Sequence, residues 1–187
     1  MRILIAALLL SLASVTGADD QALPRSTPEA QGIPSSAILA FVEAVEEKVE
    51  SLHSLMVVRH GHVVAEGWWE PYRREDTHVL FSLSKSFAST GIGLAIAEGK
   101  LSLDDTVVSI FPDDVPEEAS DNLKAMRVRD LLSMSTGHHA DVIGAFPWGG
   151  TGLTKVFLGL PVAHTPGTHF VYNTPASYML SAIVQRV

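Results

Sequence analysis

Between Ser82 and Glu98 the chain carries Ala88, Ser89, Gly91, Gly93, Ala95 and Ala97, and Gly99 closes the stretch. Side chains this small suit a helix that its neighbours approach closely from several sides. The sequence therefore predicts a buried central helix, with the rest of the fold arranged around it. Ser82-Leu83-Ser84-Lys85 stands at its first turn. Residues at i and i+3 lie side by side on a helix, so the Ser82 hydroxyl and the Lys85 amine can come within hydrogen-bond reach. A lysine of ordinary pKa, near ~10.4, is protonated at neutral pH, and burial plus nearby positive potential, part of it from the helix N-terminus, must lower that value before it can act as a base. With 18 Ser and 5 Lys in 187 residues, chance supplies about half of one such spacing. The competing reading is a serine that only caps the helix and a lysine that only reaches solvent.

The segments around this helix suggest a mixed α and β domain. Residues 19–32 are polar with two prolines and read as an extended lead-in. Ile38, Phe41, Val42, Val45 and Val49 recur at helical spacing opposite Glu43, Glu46, Glu47 and Lys48, which predicts an amphipathic helix over 35–50. Two β-rich runs, 54–59 and 62–69, joined at His60-Gly61, predict a hairpin. Further on, an acidic loop is expected over 113–122, short helices over 128–134 and near 153–159, a turn at Pro166-Gly167, and a helix from 176 to 187.

Arg2, the apolar run from Ile3 to Ala13 and the small residues Thr16-Gly17-Ala18 read as a secretory signal spanning 1–18, too short to cross a bilayer. Its removal takes away one charge, Arg2, and moves the chain from −8 to −9. Such a surface repels nucleic acid and anionic lipid. With no cysteine, an exported chain of this kind holds together by core packing alone, and closes the common lipid-anchor route. The expectation is a secreted or periplasmic protein without a stable membrane anchor after signal cleavage.

Four ordered segments carry a family resemblance: Phe81-Ser82-Leu83-Ser84-Lys85, Glu98 to Asp105, Val128 to Gly137, and Pro166 to Asn173. Together they resemble the serine β-lactamase and penicillin-binding-protein-like hydrolases, particularly the class C and esterase-like branch called β-lactamase-related. The resemblance covers most of 30–187 and implies an α/β (α+β) domain over 33–187, an antiparallel sheet flanked by helices plus a helical region. It implies acylation of Ser82, with Lys85 as base and Tyr172 as proton relay, and no cofactor or metal. Tyr172 departs from the usual Y-x-N, because Thr174 stands in the third position; Asn173 and Thr174 are the candidate substrate-binding residues, and which of them faces the pocket is open. The implied substrate is a small ester, amide or β-lactam.

The same resemblance implies a K-T-G or H-x-G strand that supplies half of the oxyanion hole, and nothing between Tyr172 and Val187 matches it. The chain is therefore expected to be an N-terminal part of such a domain, with C-terminal strands missing. That keeps two other readings open: a catalytically inactive domain or binding module, and a penicillin-binding protein with slow deacylation. Ser120-Asp121-Asn122 spells a β-lactamase triplet but sits in the acidic loop and reads as a turn or cap. His138-His139 with Asp141 reads as a solvated loop, because adjacent side chains diverge and the spacing suits no common metal site. G-x-S-x-G, the mark of an α/β-hydrolase elbow, is absent.

Overall fold

A computed structural model describes residues 22–147 and 149–187; the expected signal over 1–18 and Trp148 lie outside the described residues. The chain divides between His78 and Val79 into two compact units.

In the first unit, α1 (Ser35–Lys48) follows Pro34 and buries no residue fully; Ile38, Val42 and Val45 are half-buried while Phe41 and Val49 are exposed. The hairpin forms as its composition dictates. β1 (Ser54–Arg59) pairs antiparallel with β2 (His62–Trp68), from Arg59↔His62 to Ser54↔Trp68, with an irregularity between Val57 and Val58. His60 and Gly61 both take positive φ, 48° and 77°, the backbone that lets a two-residue turn follow the twist of its strands. Val63 and Val64 are the buried residues of β2. The lead-in does more than extend: Pro24 O accepts from Val63 N–H at 2.8 Å and Ser26 N–H donates back to Val63 O at 3.1 Å.

The second unit holds the larger core. α2 (Ser84–Ala97) is preceded by a 3₁₀ turn over Phe81–Leu83. Then come α3 (Val107–Ile110), α4 (Asp121–Ala125), α5 (Val128–Leu132), α6 (Leu153–Leu158) and α7 (Thr174–Arg186). α7 brings Ala176, Met179, Leu180 and Ile183 to the core, where they join Ile92 and Ala95 of α2, Leu131 of α5 and Phe157 of α6. Gly91 explains the close approach of α2 and α7: a Cβ there would stand 3.2 Å from Val184 Cγ2. The expectation of a helix covered on several sides is corrected here. α2 fully buries only Ile92 and Ala95, while Leu83 before it and Phe87 and Leu94 within it are exposed. The helix rests on α7 along one face, and its opposite face is open.

The middle resemblance segments interlock. Asp105 O accepts from Val128 N–H at 3.0 Å and Leu103 O from Arg129 N–H at 3.1 Å, and the Asp104 carboxylate pairs with both Arg127 and Arg129 at 2.8 Å. Asp130, 6% exposed, accepts from Arg127 N–H at 2.8 Å and fixes the start of α5. Ser120 is the N-cap of α4, its Oγ accepting from Leu123 N–H at 3.1 Å, so the Ser-Asp-Asn triplet has the capping role open to it in the sequence, at a short helix that starts inside the expected acidic loop.

Candidate active site

Ser82 sits in the 3₁₀ turn that enters α2, and Lys85 in the first turn of the helix itself. The residue before the serine, Phe81, takes φ 45° and is 83% exposed. A bulky residue in the left-handed region is strained, and strain of this kind collects at functional turns. The turn leaves the serine hydroxyl exposed while Lys85, half-buried, reaches back to it: Nζ lies 3.1 Å from Ser82 Oγ.

Tyr172 arrives from 90 residues away. Its hydroxyl is 2.7 Å from Ser82 Oγ, and Lys85 Nζ lies over its ring, 5.1 Å from the centroid. The local reason is a zipper between two turns. Val171 N–H donates to Met134 O at 2.9 Å, Gly167 N–H to Ser135 O at 2.7 Å, and His164 N–H to Gly137 O at 2.9 Å. Gly137 makes the approach possible, since its φ is 87° and a Cβ there would overlap the His164 carbonyl oxygen and come within 2.8 Å of Val162 Cγ1. The segment that carries Tyr172 is thus laid along residues 134–137 by main-chain bonds.

The hydrogen bond with Ser82, and after it the bond to and charge of Lys85, hold the Tyr172 phenol below its ordinary pKa, while the Asp141 carboxylate works in the opposite direction. Such a phenol is closer to losing its proton than a free tyrosine, and it sits within hydrogen-bond reach of the Ser82 hydroxyl. Ser82 Oγ, Lys85 Nζ and Tyr172 Oη thus form a compact set able to move a proton off an alcohol.

The profile of the Beta-lactamase family matches residues 40–187. The chain belongs to the Beta-lactamase family. Solved structures place it in the β-lactamase/transpeptidase-like fold, here a mixture of helices with a small antiparallel sheet. A protein provisionally assigned as a 6-aminohexanoate-dimer hydrolase from Bacillus anthracis superposes with TM-score 0.62 at 16% identity, over 78% of this chain and 42% of that one. One provisionally assigned as a β-lactamase from Bacteroides dorei gives 0.62 at 23% identity, over 81% and 46%. EstCE1, a hydrolase with promiscuous acyltransferase activity, gives 0.59 at 18% identity, over 81% and 47%. The chain spans less than half the length of each of these family structures.

The two candidate substrate-binding residues go separate ways. Asn173 is fully buried, and its Oδ1 caps α7 by accepting from Ala176 N–H at 3.3 Å. Thr174 lines a cleft of about 230 Å³ beside the lysine, with Phe81, Ser84, Lys85, Ala88, Ser177, Tyr178 and Ser181. Sequence reasoning missed Ser177 and Ser181 as cleft residues; they stand at i+3 and i+7 from Thr174 on α7, a spacing that could have found them. The sequence also treated His138 as part of a solvated loop. It is instead 1% exposed, with Nδ1 2.8 Å from Thr136 Oγ1, whereas His139 is exposed and lies 3.1 Å from His164. Among the described residues no group of three His, Asp or Glu side chains converges to hold a metal.

Proposed function

We propose that this chain carries the nucleophile and proton-handling groups of an exported serine hydrolase that works through an acyl-enzyme on Ser82. The observation that carries the reading is the meeting of Lys85 Nζ and Tyr172 Oη on Ser82 Oγ, at 3.1 and 2.7 Å. Lys85 serves as general base and Tyr172 relays the proton: as Ser82 Oγ bonds to the substrate carbonyl carbon, its proton passes to the pair. The Ser82 N–H supplies one donor for the developing oxyanion. When the tetrahedral adduct collapses, the carbonyl–leaving-group bond breaks and the pair returns the proton to the departing oxygen or nitrogen. Water then attacks the ester on Ser82, giving up a proton to the pair, and restores the hydroxyl.

The substrate class is a small ester, amide or β-lactam, with the residues around Tyr172 favouring an ester or linear amide. Thr174 lines the cleft and is the substrate-binding residue of this reading, while Asn173 supports it from the interior. Export is supported by residues 1–18, a charged start followed by an apolar run and a small-residue exit.

One observation favours a second reading, a non-catalytic domain: the open face of α2, with Phe87 63% and Leu94 61% exposed. Hydrolysis of a chromogenic acyl ester separates the possibilities. The catalytic reading predicts a burst followed by turnover, both lost in Ser82→Ala. A burst without turnover identifies the slowly deacylating, penicillin-binding type. Neither burst nor turnover from folded protein contradicts the catalytic reading and supports the binding module.

A further inference from the structure

His138 is a buried titratable group that the reaction scheme leaves unused. Its ring packs against Phe157 of α6, 5.0 Å between ring centres, and its Nδ1 lies 2.8 Å from Thr136 Oγ1 and 3.5 Å from Asn173 Nδ2. The direction of these bonds follows from α7. Asn173 Oδ1 accepts from Ala176 N–H, so the amide turns its NH₂ towards the imidazole, and Nδ1, as acceptor, shares its one lone pair between the Thr136 hydroxyl at 2.8 Å and the longer contact from the Asn173 amide at 3.5 Å. The proton of the neutral ring then sits on Nε2, which is buried without a hydrogen-bond partner among the described residues. An unpaired buried donor costs free energy that an apolar side chain of similar size would not. Packing alone therefore does not account for an imidazole at this position.

We propose that His138 is a positioning residue for Tyr172: by accepting from the Asn173 amide it fixes the cap of α7, and with it the backbone from which the phenol reaches Ser82. Tyr172 is held on one side by the bond from Val171 N–H to Met134 O, 2.9 Å. On the other side it is followed directly by Asn173, whose side chain is clamped between the imidazole and the first turn of α7. The inference rests on the catalytic reading for the role of Tyr172. His138 itself acts through Asn173 and touches neither Ser82 nor the cleft.

Two substitutions separate positioning from packing. His138→Leu keeps the bulk but removes both the acceptor and the orphaned donor. His138→Asn keeps an acceptor near the place of Nδ1 and leaves a void. Two readouts are taken for each protein: the rate at which a fluorophosphonate labels Ser82, and the alkaline titration of Tyr172, isolated as the tyrosinate absorbance difference from the matching Tyr172→Phe protein.

His138→Leu is expected to fold at least as stably as the parent, to label about tenfold to a hundredfold more slowly, and to move the Tyr172 titration up towards that of a free phenol. His138→Asn is expected to be less stable and yet to restore most of the labelling rate and the low titration. Parent-like labelling and titration in His138→Leu would overturn the proposal, as would unfolding of that variant or failure of His138→Asn to rescue. If no protein labels while the titration moves as described, the positioning role stands and the catalytic reading fails.

Discussion

Tyr172 places its hydroxyl 2.7 Å from the Oγ of Ser82, although 90 residues of chain separate them. Lys85 alone could have been a solvent-facing lysine one helical turn from a serine. The phenol makes the difference, because a proton leaving Ser82 then has a second, polarised group to enter. The hydrogen bond with Ser82 does most to hold that phenol below its ordinary pKa, and Lys85, with Nζ 5.1 Å from the centroid of the same ring, adds to it.

Replacing Tyr172 by Phe is expected to slow acylation of Ser82 by roughly 10²–10⁴-fold, the usual contribution of a positioned proton-transfer group. Tyr172 is 48% exposed, so stability should change little. Labelling kinetics beside a urea melt check both halves. A fall in labelling that merely tracks unfolding would count against a chemical role for the phenol.

Gly137 is where the two turns that deliver Tyr172 come together. Gly137→Ala forces a side chain onto a backbone with φ 87° and into the His164 carbonyl. A loss of about 3 kcal/mol or more is expected, from left-handed strain together with the steric overlap. Chemical denaturation measures it, and the labelling rate should drop in the folded fraction because the ties to Ser135 and Met134 loosen.

Ser120 distinguishes a helix cap from a catalytic serine. Ser120→Ala removes the bond to Leu123 N–H and is expected to cost about 1 kcal/mol while leaving the labelling of Ser82 unchanged. A strong loss of labelling without unfolding would reinstate the triplet as part of the site.

Burial pushes the His138 imidazole down from 6.5 to about 4. The side chains it meets, Thr136, Phe157 of α6 and Asn173 at the N-cap of α7, carry no ionisable group. Since the folded value lies below the unfolded one, the unfolded chain binds the extra proton between pH 6.5 and 4, and stability falls as pH falls through that window. The contribution is complete above pH 6.5, and its loss amounts to about 3 kcal/mol once pH is below 4. Denaturation of the parent and of His138→Leu at pH 7 and pH 4.5 isolates it, because carboxylates shared by both proteins cancel. The variant should lose less stability than the parent on acidification; equal losses would place the ring's titration elsewhere.

Much of this architecture is legible in the residues. His60-Gly61 between two β-rich runs marks the hairpin, because only a turn of positive φ joins twisted strands in two residues. Ser82, Lys85 and Tyr172 were singled out together only through the family resemblance, and the structure brings the three side chains to one place, with Lys85 Nζ and Tyr172 Oη at 3.1 and 2.7 Å from Ser82 Oγ. The coverage of α2 was not legible. Small residues report that something comes close, as Val184 does at Gly91, but not on how many sides. His138 was hidden for a different reason. Adjacent histidines in a turn carry no period, so burial of one beside exposure of the next is decided by the distant segment 164–173 that the turn receives.

The measurement that bears most directly on the shared site of Ser82, Lys85 and Tyr172 is intact-mass and peptide mapping of the purified chain after exposure to a fluorophosphonate, with Ser82→Ala alongside. A single adduct on Ser82, absent from Ser82→Ala and strongly slowed in Tyr172→Phe, is the expected result. A folded protein that takes up no adduct, or takes it up on another serine, would contradict it.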